Sequence, residues 1–273
     1  MGAAQKWVAG TFAGLSLVGL VGTARAGDVS DADRAFQNFT RETAVLGEQQ
    51  IRVEVQAMSL HDENKTRLSL IGYRIKADST SGGRIDALAS YGLMKNMEVG
   101  MVLPYYFESR DINGASTNTQ DFGDLKLYGK FRRQVATNCS VGAGLELSTP
   151  SGDKDKQFGI GEVAVNPFLS TRYTYGRFGV GGQVSYQFVS GSVPDVFGYG
   201  LEFAIRGSDL YALRLELDGR VFQQGGFRNN DLTLWPGIDF NISDNFTIRP
   251  EGMVGGTDIA LDWGIGLGIA AKF

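Results

Sequence analysis

Few residues in this chain are of types that could do chemistry, and they are scattered. The one histidine, His61, stands beside Asp62 and Glu63, residue types from which a general base and its orienting carboxylate are built. A hydrolase at His61 would need a serine delivered from another part of the chain. No residue in that neighbourhood forms a nucleophile arrangement, so a surface histidine at a strand end is the expected state and no enzyme is expected. The one cysteine, Cys139, rules out an intramolecular disulfide and a four-cysteine zinc site. It reads as a small residue at a strand start. The loop Pro150-Ser151-Gly152-Asp153-Lys154-Asp155-Lys156 carries acids interleaved with lysines. It lacks the ligand spacing of a calcium loop and reads as a solvated turn. Gly142-x-Gly144 and Gly264-x-Gly266-x-Gly268 lie inside strand patterns, without the strand-to-helix context of a nucleotide loop. Neither a metal nor a cofactor is expected. A net charge of −4 argues against a nucleic-acid partner, whose phosphates call for a basic face.

The remaining chemistry-bearing residues are charges at alternate positions, and their spacing is informative. In 139–149, Val141, Ala143, Leu145 and Leu147 fall on one face, against Ser140, Gly142, Gly144, Glu146 and Ser148 on the other. Ile51, Val53 and Val55 oppose Arg52, Glu54 and Gln56; Met97, Val99, Met101 and Leu103 oppose Glu98 and Gly100. Tyr211, Leu213, Leu215 and Leu217 oppose Arg214, Glu216 and Asp218. With 38 glycines, sparse prolines and few helical patterns, the chain reads as all-β with frequent turns. A soluble sandwich shows the same alternation, but a barrel can close one sheet around a polar lumen.

The connections separate the two. Short links at Met94-Lys95-Asn96, Gly176-Arg177, Ser208-Asp209 and Ser243-Asp244 alternate with longer polar ones at 110–120, 151–161, 190–196 and 222–230. This is the asymmetry of outer-membrane barrels, with short periplasmic turns and long extracellular loops. Beyond the leader no apolar run approaches the roughly 20 residues of a spanning helix, so any crossing uses strands. A hydrophobic content of 42% does not decide the matter, because a barrel carries its apolar residues at alternate positions only.

The expected fold is therefore an all-β, closed antiparallel transmembrane barrel of about 12 strands. Counting every alternating segment gives an odd number, so 66–77 is expected not to span but to lie in an extracellular excursion or in the lumen. Residues 1–26 read as a secretory leader: Lys6, the uncharged stretch 7–23, and the cleavage-like Ala24-Arg25-Ala26. Residues 27–48 form an N-terminal periplasmic segment or plug. Within it, Ser30 as an N-cap and Ala32, Phe36 and Phe39 on one face suit a short helix, and a disordered lead-in suits the same residues. Residues 49–273 form the barrel, placed in the bacterial outer membrane against its lipid. Tyr105, Phe107, Tyr173, Tyr186 and Phe188 suit the interfacial girdles.

The expected lumen-lining residues are Arg52, Glu54, Glu98, Lys126, Lys130, Glu146, Arg172, Glu202, Arg206, Arg214, Glu216, Arg220, Arg249 and Glu251, with Asp124, Asp218 and Asp239 in the same phase. Both signs are well represented. Such a set either pairs across strands to stabilise the barrel or lines a solute path of weak ion selectivity.

Three blocks carry a family resemblance. They are Ser90-Tyr91-Gly92-Leu93 with Met97-Glu98-Val99-Gly100 and Leu103-Pro104-Tyr105; Phe122-Gly123-Asp124-Leu125 with Gly129-Lys130-Phe131; and Leu147-Ser148-Thr149-Pro150-Ser151-Gly152-Asp153. The chain resembles the outer-membrane family of the MetA pathway of phenol degradation, from its first strand to Phe273. It departs in having Ser151 where the family pattern usually has Thr. The final segment, apolar at every second position from Trp263 to Phe273, resembles the C-terminal strand of bacterial outer-membrane proteins, whose terminal aromatic engages the barrel assembly machinery. The resemblance implies a channel or transporter for small hydrophobic or aromatic compounds. The alternative is a structural or adhesive barrel that transports nothing.

Overall fold

The computed structural model describes residues 45–62, 66–68, 74–76, 79–112, 115–153, 158–190, 195–224, 227–257 and 262–273. Its strands are β1 (Ile51–Asp62), β2 (Thr66–Leu68), β3 (Arg74–Lys76), β4 (Ser79–Met94), β5 (Met97–Ile112), β6 (Ala115–Phe122), β7 (Lys126–Ala136) and β8 (Cys139–Ser148). They continue with β9 (Ala164–Tyr175), β10 (Phe178–Val189), β11 (Val196–Arg206), β12 (Tyr211–Gln224), β13 (Phe227–Ser243), β14 (Phe246–Gly255) and β15 (Trp263–Lys272).

Each long strand pairs antiparallel with its neighbours, and the ring shuts where β1 pairs with β15 on one side and β4 on the other. The seam is fully laddered from Arg52 opposite Lys272 to His61 opposite Trp263. β6 and β7 are two halves of one descending limb, both hydrogen-bonded to β5 and interrupted at Gly123-Asp124-Leu125. Counted so, twelve limbs cross the barrel. β2 and β3 pair with each other in a separate sheet between β1 and β4. Over the described residues of the segment 66–77, expected as surplus, β2 and β3 do not join the wall. The leader falls outside the described residues, as does the helix-or-lead-in at 30–46 apart from Val45 and Leu46, which are not helical.

The alternation has a simple physical basis, since successive side chains of a strand point to opposite faces. On β11, Leu201, Phe203 and Ile205 are exposed while Glu202 and Ala204 are buried; β1 repeats this with Val53 and Val55 outside and Arg52 and Glu54 inside. The molecule is inverted relative to a soluble protein: its exposed band is aliphatic and aromatic, and its interior is rich in charge. Hydrocarbon is the medium that suits such a band, and only a closed sheet satisfies every backbone group within it.

Two expectations about the loops need correction. The link expected at 110–120 is mostly strand, because β5 and β6 run to within two residues of each other. The link expected at 222–230 shrinks in the same way between β12 and β13. Their polar residues read as loop because these hairpins rise past the apolar band, where alternation with hydrophobic residues is no longer required. Tight turns close the opposite end, and at Gly176 the backbone takes φ +57°, a conformation that L side chains rarely adopt.

Leu201 lies midway along β11 on the apolar face, 46% exposed. Leu201→Arg is expected to destabilise the folded barrel by about 2–4 kcal/mol, the cost of a cation near the bilayer midplane. Urea unfolding in phospholipid vesicles measures it, and an unchanged midpoint would place this face away from hydrocarbon.

Candidate functional site

The interior is held by two ionic hubs. At the short-turn end, Glu98 of β5 accepts from Arg52 Nη2 of β1 at 2.8 Å and from the Tyr128 hydroxyl of β7 at 2.9 Å, with Lys130 Nζ at 3.5 Å. Its second oxygen accepts the backbone N–H of Leu46 at 2.8 Å. The lead-in to β1 therefore turns into the barrel, and Leu46 is fully buried. The turn uses a left-handed Gln49 (φ 62°), whose N–H donates to Gly92 O at 2.8 Å. A side chain at Gly92 would collide with Gly47 O, so a glycine is required there.

The second hub gathers β12, β13, β14 and β1. Arg214 donates to Glu216 and Glu251, each at 2.9 Å. Asp239 Oδ1 lies 3.3 Å from Arg249 Nε, and Arg249 Nη1 donates to Glu54 Oε1 at 2.7 Å. Gln56 donates to Glu251. Smaller pairs join Arg84 to Asp86, Arg220 to Asp231 and, at 4.0 Å, Lys126 to Glu146.

Among the expected lumen residues, Arg52, Glu54, Glu98, Lys130, Arg214, Glu216, Arg249 and Glu251 are buried and belong to these hubs. Lys126, Glu146, Arg172 and Glu202 are buried outside them, Glu202 standing opposite Glu216 on the β11–β12 ladder. Arg206 and Arg220 are only half-buried. Arg206 reaches Asp209 in a solvent-exposed turn at 3.9 Å, so it belongs to the rim. Sequence reasoning passed over Arg84, Asp86, Tyr106 and Tyr128, which share the inward phase of Glu98 and Lys130; simple parity along β4, β5 and β7 was the available signal.

The long-loop end holds an arrangement of another kind. Asp124, at the break between β6 and β7, accepts the N–H of Gly152 on Oδ1 at 2.8 Å and of Ile160 on Oδ2 at 2.7 Å. These contacts draw the β8–β9 connection inward, with Phe158 and Ile160 buried. Phe158 stacks on Tyr106 of β5, ring centroids 5.5 Å apart and planes 6° from parallel. The solvated turn expected at 150–156 is, over its described residues, tied to the wall through Gly152. Two of the sequence blocks noted above, Phe122-Gly123-Asp124 and Pro150-Ser151-Gly152-Asp153, meet in this clasp. Close by in the ring, Met58 and Leu60 of β1 pack with Met253 of β14 and Trp235 of β13. The interior thus combines charge networks with aromatic and aliphatic surfaces.

His61 packs against Trp263 across the closure seam, centroids 5.4 Å apart. Among the described residues no cluster of three or more His, Cys, Asp or Glu could hold a metal ion. Cys139 is half-buried with a free thiol.

No family model matches the chain. No curated protein matches it either. Solved structures do. The COG4313 outer membrane channel from Pseudomonas putida F1 superposes with a TM-score of 0.70 at 15% identity, covering 91% of this chain and all of the other. The KdgM porin in complex with disordered oligogalacturonate gives 0.55 at 10% identity over 81% of this chain and 99% of the other. The β domain of the Bordetella autotransporter BrkA gives 0.54 at 10% identity over 82% and 99%. At these identities the likeness is one of fold, a closed antiparallel barrel shared by proteins with different tasks.

Glu98 neutralises two buried cations, so Glu98→Ala is expected to cost about 3–5 kcal/mol, as when one partner of a buried pair is removed. Arg52→Met and Lys130→Met combined with Glu98→Leu, which remove both cations with their acid, should cost clearly less. Urea midpoints of the two refolded variants, with heat-modifiable mobility as the fold check, measure the difference.

Proposed function

We propose that this protein is a bacterial outer-membrane channel that passes small hydrophobic or aromatic compounds, and that it belongs to the MetA-pathway-like family its sequence blocks resemble. The observation that carries the reading is the Phe158–Tyr106 stack at the long-loop end of the lumen. The two rings are buried against each other, so a planar apolar solute passes there by displacing Phe158 and stacking on Tyr106 in its place. Lower down, buried side chains of both signs pair with each other, and a lumen that carries both signs selects between ions less strongly than a ring of one sign. The similar folds of the P. putida outer membrane channel and the KdgM porin support the channel part of the reading.

Outer-membrane placement follows from the same reading. The short turns and the lead-in then face the periplasm, and the β5–β6 and β12–β13 hairpins rise on the cell surface. The second reading, a structural barrel that passes nothing, is favoured by the ion-paired interior, with Arg52 and Glu98 fully buried.

The test is solute flux and conductance of the refolded 27–273 chain in liposomes and planar bilayers, with aromatic compounds compared against sugars of similar size. A channel for aromatics passes the former faster; a folded barrel that passes neither is structural. Removing the ring in Phe158→Ala forfeits a stacking contribution of about 0.5–1.5 kcal/mol. Conductance should rise about two- to tenfold if that stack closes the path.

A further inference from the structure

Away from the lumen, on the hydrocarbon-facing wall, β1, β4, β5, β7 and β8 border an open, shallow hollow of about 750 Å³. It exists because small residues meet there: Ala89 of β4 and Gly129 of β7 form its floor, while Tyr91, Met101, Leu127 and Leu145 stand around it. The space above Gly129 is open, the nearest atom to a Cβ built there being Val99 Cγ1 at 3.9 Å. The hollow begins at the short-turn edge, where Ile51 opposite Tyr91 and Tyr91 opposite Val99 lie near their strand ends.

Two cations stand at its foot. Arg133 continues the outward series Leu127, Gly129, Phe131 of β7 and is exposed. Lys95, also exposed, is in the β4–β5 turn. Met97 pairs with Phe131, and the Arg132 N–H donates to Asn96 O at 2.9 Å, which carries the register past the strand ends. Lys95, one residue further into the turn, and Arg133 therefore lie at the same edge of the wall. Glu48 lies on the lead-in at the same edge and leaves this patch net positive.

We propose that this wall is a binding site for an anionic phospholipid of the inner leaflet. One acyl chain lies over Gly129 and Ala89, and the headgroup phosphate rests against Lys95 and Arg133. The placement rests on the periplasmic orientation proposed above for the short turns. Inside a bilayer the hollow has to be filled, because apolar walls facing no atoms forfeit their dispersion contacts. Chains of any lipid can fill it, so selection falls to the cations, and a headgroup that carries its own ammonium gains less from them. A second copy of the barrel fits poorly. Two-fold pairing in a membrane would set Lys95 and Arg133 of both copies at one level, facing their like charges.

The experiment is native mass spectrometry of the full barrel, purified from membranes and exchanged into nanodiscs of equal phosphatidylglycerol and phosphatidylcholine. Phosphatidylglycerol should be retained preferentially. Lys95→Gln with Arg133→Gln should weaken that retention about tenfold and leave phosphatidylcholine unchanged. Gly129→Leu, which fills the hollow, should weaken both. Equal retention of the two lipids, unaltered by the charge variant, overturns the proposal. So does a dimer that Gly129→Leu abolishes without altering lipid retention. Conductance recorded on the same preparations separates this inference from the channel reading, since selective lipid retention in a barrel that conducts nothing defeats only the latter.

Discussion

The whole arrangement depends on one requirement: no backbone N–H or C=O can be left without a partner where the wall meets hydrocarbon. Each unpaired group there costs several kcal/mol, and a sheet escapes that cost only by having no edge. The β1–β15 ladder removes the edge. Once the ring is shut, the two faces of every strand lie in different media, and side-chain alternation becomes obligatory rather than preferred. The apolar exterior, the charged interior and the tight turns at one end all follow from that closure.

Closure creates a second problem inside. Ionised groups withdrawn from water are tolerated only when paired and hydrogen-bonded. Glu98 and Arg214 answer this as hubs, each drawing on strands from several parts of the ring. Such interiors fix the relative positions of strands that are not neighbours, which the backbone ladders alone do not do. The Asp124 clasp works on the same principle, with a carboxylate accepting backbone amides, but it positions a loop rather than a wall.

Much of this was legible in the sequence because a closed sheet imposes a two-valued environment along each strand. Val141 to Leu147 on one face and Glu146 with Ser148 on the other place β8 without any knowledge of its neighbours. The surplus segment at 66–77 was legible by counting, since both ends of a barrel must lie on the same side. Partner choice was not legible. Glu54 meets Arg249 across 195 residues of sequence because the seam brings β1 beside the last strands, and nothing local to either residue records that. The inward course of the β8–β9 connection was hidden for a related reason. Pro150-Ser151-Gly152-Asp153 has the composition of a solvated turn, and only the break at Asp124, on another strand, supplies the amide acceptor that pulls it in. The hairpin tips were misread because the alternation rule lapses where strands rise above the apolar band.

The outer edge of β6 is a case apart, because closure does not extend to it. Above the point where β7 and β8 stop pairing, β6 is bonded on one side only, to β5, among the described strands. A bare strand edge is a template for adding further chains, which is how barrels crowded side by side could be stitched into aggregates. The sequence of β6, Ala-Ser-Thr-Asn-Thr-Gln-Asp-Phe, offers little reward for it: the strand is short, largely hydrophilic and closed by an acid next to Phe122. Two such edges zipped together would bury hydroxyls and amides and gain almost no apolar contact. A rim built this way lets neighbouring molecules collide at high surface density and separate again.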